Sequence, residues 1–428
     1  MKITPDSHKL MSFFAHHNCL QHSKQNQTTN NLFKKMFQEM DAAVKAINKI
    51  KAELADNFYK LKIEKIHFVK QIPKPSTFAV DVFPKIVRKH IDEHSLFSLT
   101  YLFHLFGRPI TIIFLIEVAN PEQHIQAYNK YVDNMLVWLH IVNKYASKSC
   151  VKNLTVFIYH TSLTKELPKS DLDILSEQHV NTAFTMSCPK DSEIVVFRKE
   201  EWFKVFMHET FHNFALDFSD MDVSEVHSKI LSIFPVNSDV NLYEAYTEFW
   251  ARIMNVLFCS YFNTPIVDGK KQIDDFIKNT EYFMNFEIMY AFFQMVKVLD
   301  FMNLQYTQLY ETDAIAVNIR KTMYNENTNV LSYYIITMIL IFNYQSFLLW
   351  CSTNNDTLLQ FKKTTLNQDS FFHFIEKKYT NAKLLKAIQC TFELFKNVKK
   401  ARNKSDTRKH KNLGFLMNNL RMTICELG

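Results

Sequence analysis

Along residues 32–69 apolar side chains return every three or four positions (Phe33, Met36, Met40, Val44, Ile47, Ile50, Leu54, Phe58, Leu61) among many lysines. That period predicts one long amphipathic helix or a broken pair. Residues 1–30 are polar and biased toward His, Gln, Ser, Thr and Asn, and they read as a flexible arm in which His16, His17 and His22 are incidental. The prolines at 73 and 75 close the helical stretch. Short apolar, β-branched runs at 110–118, 154–160, 180–187 and 193–198 predict strands, with a helix at 123–145 and a hairpin turn at 188–191. From 199 onward the pattern is helical: a helix opened by Lys199-Glu200-Glu201-Trp202 with acids in its first turn, then helices near 222–234, 241–258, 270–302, 307–324, 329–351, 369–377 and 381–400. A short final helix is expected over 417–425. The apolar run 331–351 is long enough to cross a bilayer. Asn343, Gln345 and several hydroxyls within it predict a buried core helix instead, so no membrane span is expected.

The chemistry concentrates in His208-Glu209-Thr210-Phe211-His212. At 3.6 residues per turn the two histidines share a helix face and can reach one cation, while Glu209 beside them can hold and deprotonate a metal-bound water. The neighbours Val205, Phe206, Phe211, Asn213 and Phe214 are uncharged, as a metal helix buried in an enzyme core requires. Zinc hydrolysis needs a third protein ligand and an open fourth position. The next candidate is Glu244, followed one turn later by Glu248, on a helix whose apolar face is Trp250, Ile253, Met254 and Leu257. Glu244 is placed to ligate, and Glu248 to accept a hydrogen bond from a ligand histidine.

The two segments together resemble the gluzincin superfamily of zinc metallopeptidases, the thermolysin-like group, over roughly residues 180–255. The resemblance implies a Zn2+ ion held by His208, His212 and Glu244, Glu209 as general base, and Glu248 as the outer carboxylate. It also implies an edge strand that binds the substrate backbone by strand addition, here the stretch beginning Asn181, Thr182, Ala183. The chain departs from the commonest pattern in having 31 residues between His212 and Glu244, and Glu in place of Asp at 248. No oxyanion donor is placed by the pattern. His227, in the intervening helix, is one candidate, and Tyr306, Tyr310, Tyr333 and Tyr334 are others.

Composition narrows the remaining choices. Only four glycines occur in 428 residues, too few for a Walker A loop or a dinucleotide fingerprint. Seven scattered cysteines without a Cys-x-x-Cys read as reduced thiols, with neither a disulfide frame nor a thiolate zinc site. The N-terminus lacks an apolar signal-like core, so a cytoplasmic setting is expected. Abundant Phe, Asn, Lys and Ile against little Gly suggest an AT-rich coding sequence, as in many large DNA viruses, some parasites and some bacteria. The net charge of +7 and the basic cluster at 396–411 read as a solvated linker, so nucleic acid is not an expected partner.

The expected molecule is therefore α+β: a small mixed sheet packed on the metal helix, followed by a mostly helical C-terminal region. Its expected parts are an arm at 1–30, a helical region at 31–108, the zinc-peptidase core at 109–260, a helical region at 261–400 and a basic tail at 401–428. The expected activity is intracellular or virion-associated cleavage of a protein or peptide. The alternatives are an inactive interaction protein on a peptidase scaffold, or a nucleic-acid-associated protein using the tail. No feature sets an oligomeric state.

Overall fold

In chain order the elements are α1 (Pro5–His16), α2 (Gln27–Leu54), β1 (Lys60–Lys65), α3 (Lys85–His94), β2 (Phe97–Leu105), β3 (Arg108–Ile116), α4 (Ile125–Tyr145) and β4 (Asn153–Tyr159). They continue with β5 (Leu175–Ser176), α5 (Glu177–Val180), β6 (Ala183–Thr185), β7 (Asp191–Val196), α6 (Trp202–Asn213), α7 (Ser224–Ile233), α8 (Leu242–Asn263) and the hairpin β8 (Ile266–Val267) and β9 (Lys270–Lys271). The last are α9 (Ile273–Phe301), α10 (Ala314–Met323), β10 (Glu326–Asn327), a π turn (Leu331–Ile336), α11 (Thr337–Phe342), α12 (Tyr344–Asn354), α13 (Thr365–Glu376), α14 (Ala382–Lys404) and α15 (Thr407–Asn418). This computed structural model describes residues 2–17, 20, 24–79, 82–170, 172–404 and 407–428. Cys19, His22 and the side chains of 403, 404 and 407–412, which include Lys404, Arg408, Lys409 and Lys411 of the basic cluster, lie outside the described residues. The chain is α+β and divides into two compact units built from discontinuous segments.

The first unit comprises 33–164 and 182–220. Its six-stranded sheet has the order β1-β2-β3-β4-β7-β6. The centre is parallel (Ile110 opposite Leu154, Leu154 opposite Ser192) and the flanks are antiparallel, with Ala183 opposite Val196 at the β6 edge. Parallel neighbours need a crossover, and α4 provides it between β3 and β4. Alternation sends Ile113, Leu115, Phe157, Tyr159 and Val195 to one face, where they pack with Val87 and Ile91 of α3. Ile112, Phe114, Val156, Ile158, Ile194 and Val196 are buried on the other, the side of α4 and α6.

The second unit comprises 2–32, 165–181 and 221–428. It is a helical assembly around α8 and α9, both heavily buried. One ion pair closes its core: Arg252 of α8 meets Glu287 of α9 at 2.7 Å, and Glu287 Oε1 also accepts the N–H groups of Ile424 and Cys425 at 3.0 Å.

Several expectations are corrected. The arm at 1–30 contains α1, capped by the Thr4 hydroxyl and packed through Phe14 on Phe293 and Tyr290 of α9 at ring distances of 5.5 and 5.9 Å. Leu10, Met11 and Phe14 supply a helical apolar face that polar composition concealed. The helix predicted through 69 ends at Leu54. Lys60–Lys65 alternates lysine and glutamate with Leu61 and Ile63, a strand period, and forms the β1 edge. β2 was not predicted. The apolar run 331–351 breaks at Asn343, with its two parts bent by 92°, and no single helix among the described residues is long and apolar enough to cross a membrane. The final helix expected over 417–425 is not formed: α15 ends at Asn418, and residues 420–425 follow as irregular chain buried in the second unit. Finally, Cys150 and Cys188 form a disulfide across 38 residues, whereas all cysteines were expected to be thiols. It joins the segment before β4 to the β6–β7 turn, a proximity that only the parallel β4–β7 pairing creates.

Candidate metal centre

In the first unit every residue of α6 is buried, so its polar side chains face the interior instead of water. The helix begins after Glu201, which has a left-handed φ of 59°, and the first turn carries no acid, contrary to expectation. Thr210 accepts the Trp138 indole N–H of α4 at 2.7 Å and donates to the Met207 carbonyl, while Trp138 stacks on Phe211 at 6.0 Å. Asn213 is tied to the sheet, accepting from Ser192 of β7 at 2.6 Å and donating to the Thr185 hydroxyl of β6 at 2.9 Å. These contacts fix the rotation of α6 and hold the edge strand against it.

The C-terminal end of α6 closes by a Schellman pattern. Ala215 N–H reaches the His212 carbonyl at 3.0 Å, Leu216 N–H reaches the Phe211 carbonyl at 2.8 Å, and Ala215 has a left-handed φ of 56°. The reversal brings the fully buried Asp217 back under the helix, where its carboxylate contacts His212 Nδ1 at 2.5 Å. A carboxylate on Nδ1 holds the proton there, so that His212 Nε2 is the unprotonated nitrogen of the ring. That nitrogen faces His208 Nε2 at 3.2 Å. Two imidazole nitrogens converging, one with its tautomer set by a buried carboxylate, are a donor set that fits a divalent cation. Glu209, 7% exposed, lies beside them.

Asp217 takes at His212 the part that the family resemblance assigned to Glu248. An Asp five residues past the second histidine carries no helical signal, and only the turn at Ala215 makes it a neighbour. The remaining buried histidine of this unit behaves differently. Among the described residues His160 has neither ring nitrogen hydrogen-bonded, and it sits among Phe114, Tyr128, Tyr131 and Trp202 at ring distances of 5.3, 5.7, 5.9 and 5.6 Å. Burial, with a smaller push from Lys199, depresses its pKa to about 3.

In the second unit Glu244 lies half-buried in the first turn of α8, and Glu248, one turn on, is 1% exposed. The Tyr333 hydroxyl donates to Glu244 Oε2 at 2.9 Å. Tyr334 donates instead to the Leu420 carbonyl at 2.6 Å and Tyr306 to the Tyr379 carbonyl at 2.8 Å, which commits both hydroxyls to structural bonds. His227, on α7, is partly buried with its Nε2 unpaired among the described residues. Burial lowers its pKa, opposed by Asp239 and Asp222, so the ring is neutral at pH 7.

The expected substrate stretch divides. Ala183 lies on β6, the edge of the sheet, and Thr182 is buried just before it with its carbonyl accepting from Phe197 N–H at 2.8 Å. Asn181 lies outside the strand and accepts from Thr328 at 3.0 Å in the second unit. Compared with family models, with curated proteins and with solved structures, the chain matches none.

Proposed function

We propose that the chain is a zinc-dependent metallopeptidase of gluzincin type. The observation that carries this reading is the His208–His212 pair, converging through Nε2 and oriented by Asp217. In this reading His208, His212 and Glu244 would hold the ion. Bound there, zinc supplies Lewis acidity toward the scissile carbonyl and a water acidified to a pKa of about 7. Glu209, in water-poor surroundings, would serve as the general base that accepts the proton of the attacking water and as the acid that returns it to the leaving amine. Asp217 holds His212 in its ligating tautomer, and Glu248 serves His208 in the same way. Ala183 presents edge-strand backbone to a peptide, with Thr182 and Asn181 flanking it. His227, neutral and with a free Nε2, is a donor for the developing oxyanion.

The proposed substrates are proteins or peptides processed within a cell or a virus particle. Free thiols at Cys259, Cys351, Cys390 and Cys425 support a reducing setting, while the Cys150–Cys188 bridge requires one oxidising step. The test is hydrolysis of an unfolded protein such as casein by zinc-loaded protein. Glu209→Gln is expected to retain zinc and lose roughly 10²- to 10⁴-fold in rate. Equal rates in the two proteins, or no hydrolysis by zinc-loaded wild type, would count against a peptidase.

A further inference from the structure

The segment that leads into Tyr333 is fastened to the start of α8 just before the tyrosine. Before it, the Glu326 carboxylate accepts the N–H groups of Val330 and Leu331, and the Asn241 amide donates to Asn329 Oδ1 at 2.9 Å. Next to it, the Ser332 hydroxyl donates to the Asn241 carbonyl at 2.8 Å. Asn241 is the residue from which α8 starts, one turn before Glu244. Over Leu331–Ile336 the chain adopts a π turn, a helical irregularity that recurs at functional sites. Tyr333 and Tyr334 then point apart, one to the Glu244 carboxylate and the other to the Leu420 carbonyl.

We infer that Tyr333 is a positioning residue for the metal: its hydroxyl donates to Glu244 Oε2 and holds that carboxylate in one orientation for the ion. The inference rests on the zinc reading above. A half-buried glutamate would otherwise sample several rotamers and present either oxygen, and each alternative ordered on binding weakens the metal. Donation to one carboxylate oxygen also draws charge from the other and tunes its strength as a ligand. The pinning matters because a tyrosine on a loose segment would follow the carboxylate instead of directing it. Burial holds the Glu326 carboxyl up near a pKa of about 7, yet three hydrogen-bond donors converge on it, from Tyr324, Val330 and Leu331, so the anchor persists whether or not it is ionised.

The experiment compares zinc affinity, by competition with a chelator, in the full chain as wild type, Tyr333→Phe, Tyr334→Phe and Glu244→Ala, alongside thermal melting of each metal-free protein and the visible spectrum of each cobalt-loaded protein. Tyr333→Phe is expected to bind zinc about 10- to 100-fold more weakly, with an altered cobalt spectrum and wild-type melting without metal. Tyr334→Phe is expected to show the reverse, a lower melting temperature and wild-type affinity. Wild-type affinity in Tyr333→Phe beside a loss in Glu244→Ala would overturn the positioning role and leave the zinc reading standing. A Tyr333→Phe protein that melts early as metal-free protein would make the residue structural. Wild type that binds no zinc would remove both.

Discussion

The first unit buries imidazoles in two contrasting ways. At His160 four aromatic rings enclose a ring whose nitrogens have no partners among the described residues, and burial drives its pKa down to about 3. At His208 and His212, equally withdrawn from water, a carboxylate fixes one tautomer and the two Nε2 atoms face each other. Burial alone therefore leaves a histidine without chemistry; burial with an oriented second nitrogen fits it to ligate a cation. Asp217 is what separates the two sites.

The contrast can be strained from outside first. The Cys150–Cys188 bridge clamps the β6–β7 turn, whose Cys188 N–H donates to the His212 carbonyl at 3.3 Å. Replacing both cysteines by serine is expected to cost about 4 kcal/mol in urea unfolding on loop entropy alone, and to weaken zinc binding, while leaving the His160 cage intact. Next is the cage itself. His160 has a folded-state pKa depressed below its unfolded value near 6.5, so the stability it contributes is complete above about pH 6.5 and is lost as pH falls toward 3. Between pH 7 and pH 4 the loss is about 3 kcal/mol. His160→Phe is expected to flatten that part of the pH profile, measured as the difference from wild type, and to keep wild-type zinc affinity. An unchanged profile would mean that the ring is solvated.

A smaller effect is expected at the carboxylate that distinguishes the sites. Asp217→Asn keeps the shape but supplies a weaker acceptor that no longer enforces the Nδ1–H tautomer, and zinc affinity is expected to fall about 10- to 100-fold. The smallest belongs to the turn that delivers Asp217. Ala215 holds a φ of 56°, where a Cβ is unfavourable, so Ala215→Gly is expected to raise stability by about 1 kcal/mol with zinc affinity unchanged. A loss of affinity there would show that the rigidity of the turn, and not only its shape, orients Asp217.

The parts legible in the sequence were those with a strong local period. β3, β4 and β7 stand where β-branched runs placed them, and α4, α6, α8 and α9 where apolar residues recur at helical spacing. Lys60–Lys65 escaped because a lysine-rich edge strand carries few apolar residues, and α1 because three well-spaced apolar residues were outweighed by polar neighbours. At the site, His208, Glu209 and His212 are adjacent in sequence and needed only the helix to assemble. Asp217 depends on a left-handed alanine, Tyr333 on a π turn 89 residues after Glu244, and the disulfide on a strand order set by the crossover of α4. Each is a consequence of tertiary structure that local pattern does not encode.

Zinc held by His208, His212 and Glu244 is tested by metal content, measured by elemental analysis of protein never exposed to chelator, as wild type, His212→Ala, Glu244→Ala and Glu209→Gln. One zinc per chain is expected in wild type and in Glu209→Gln, with loss or marked weakening in His212→Ala and Glu244→Ala. Wild type without stoichiometric metal, or Glu244→Ala with its full zinc, would contradict it.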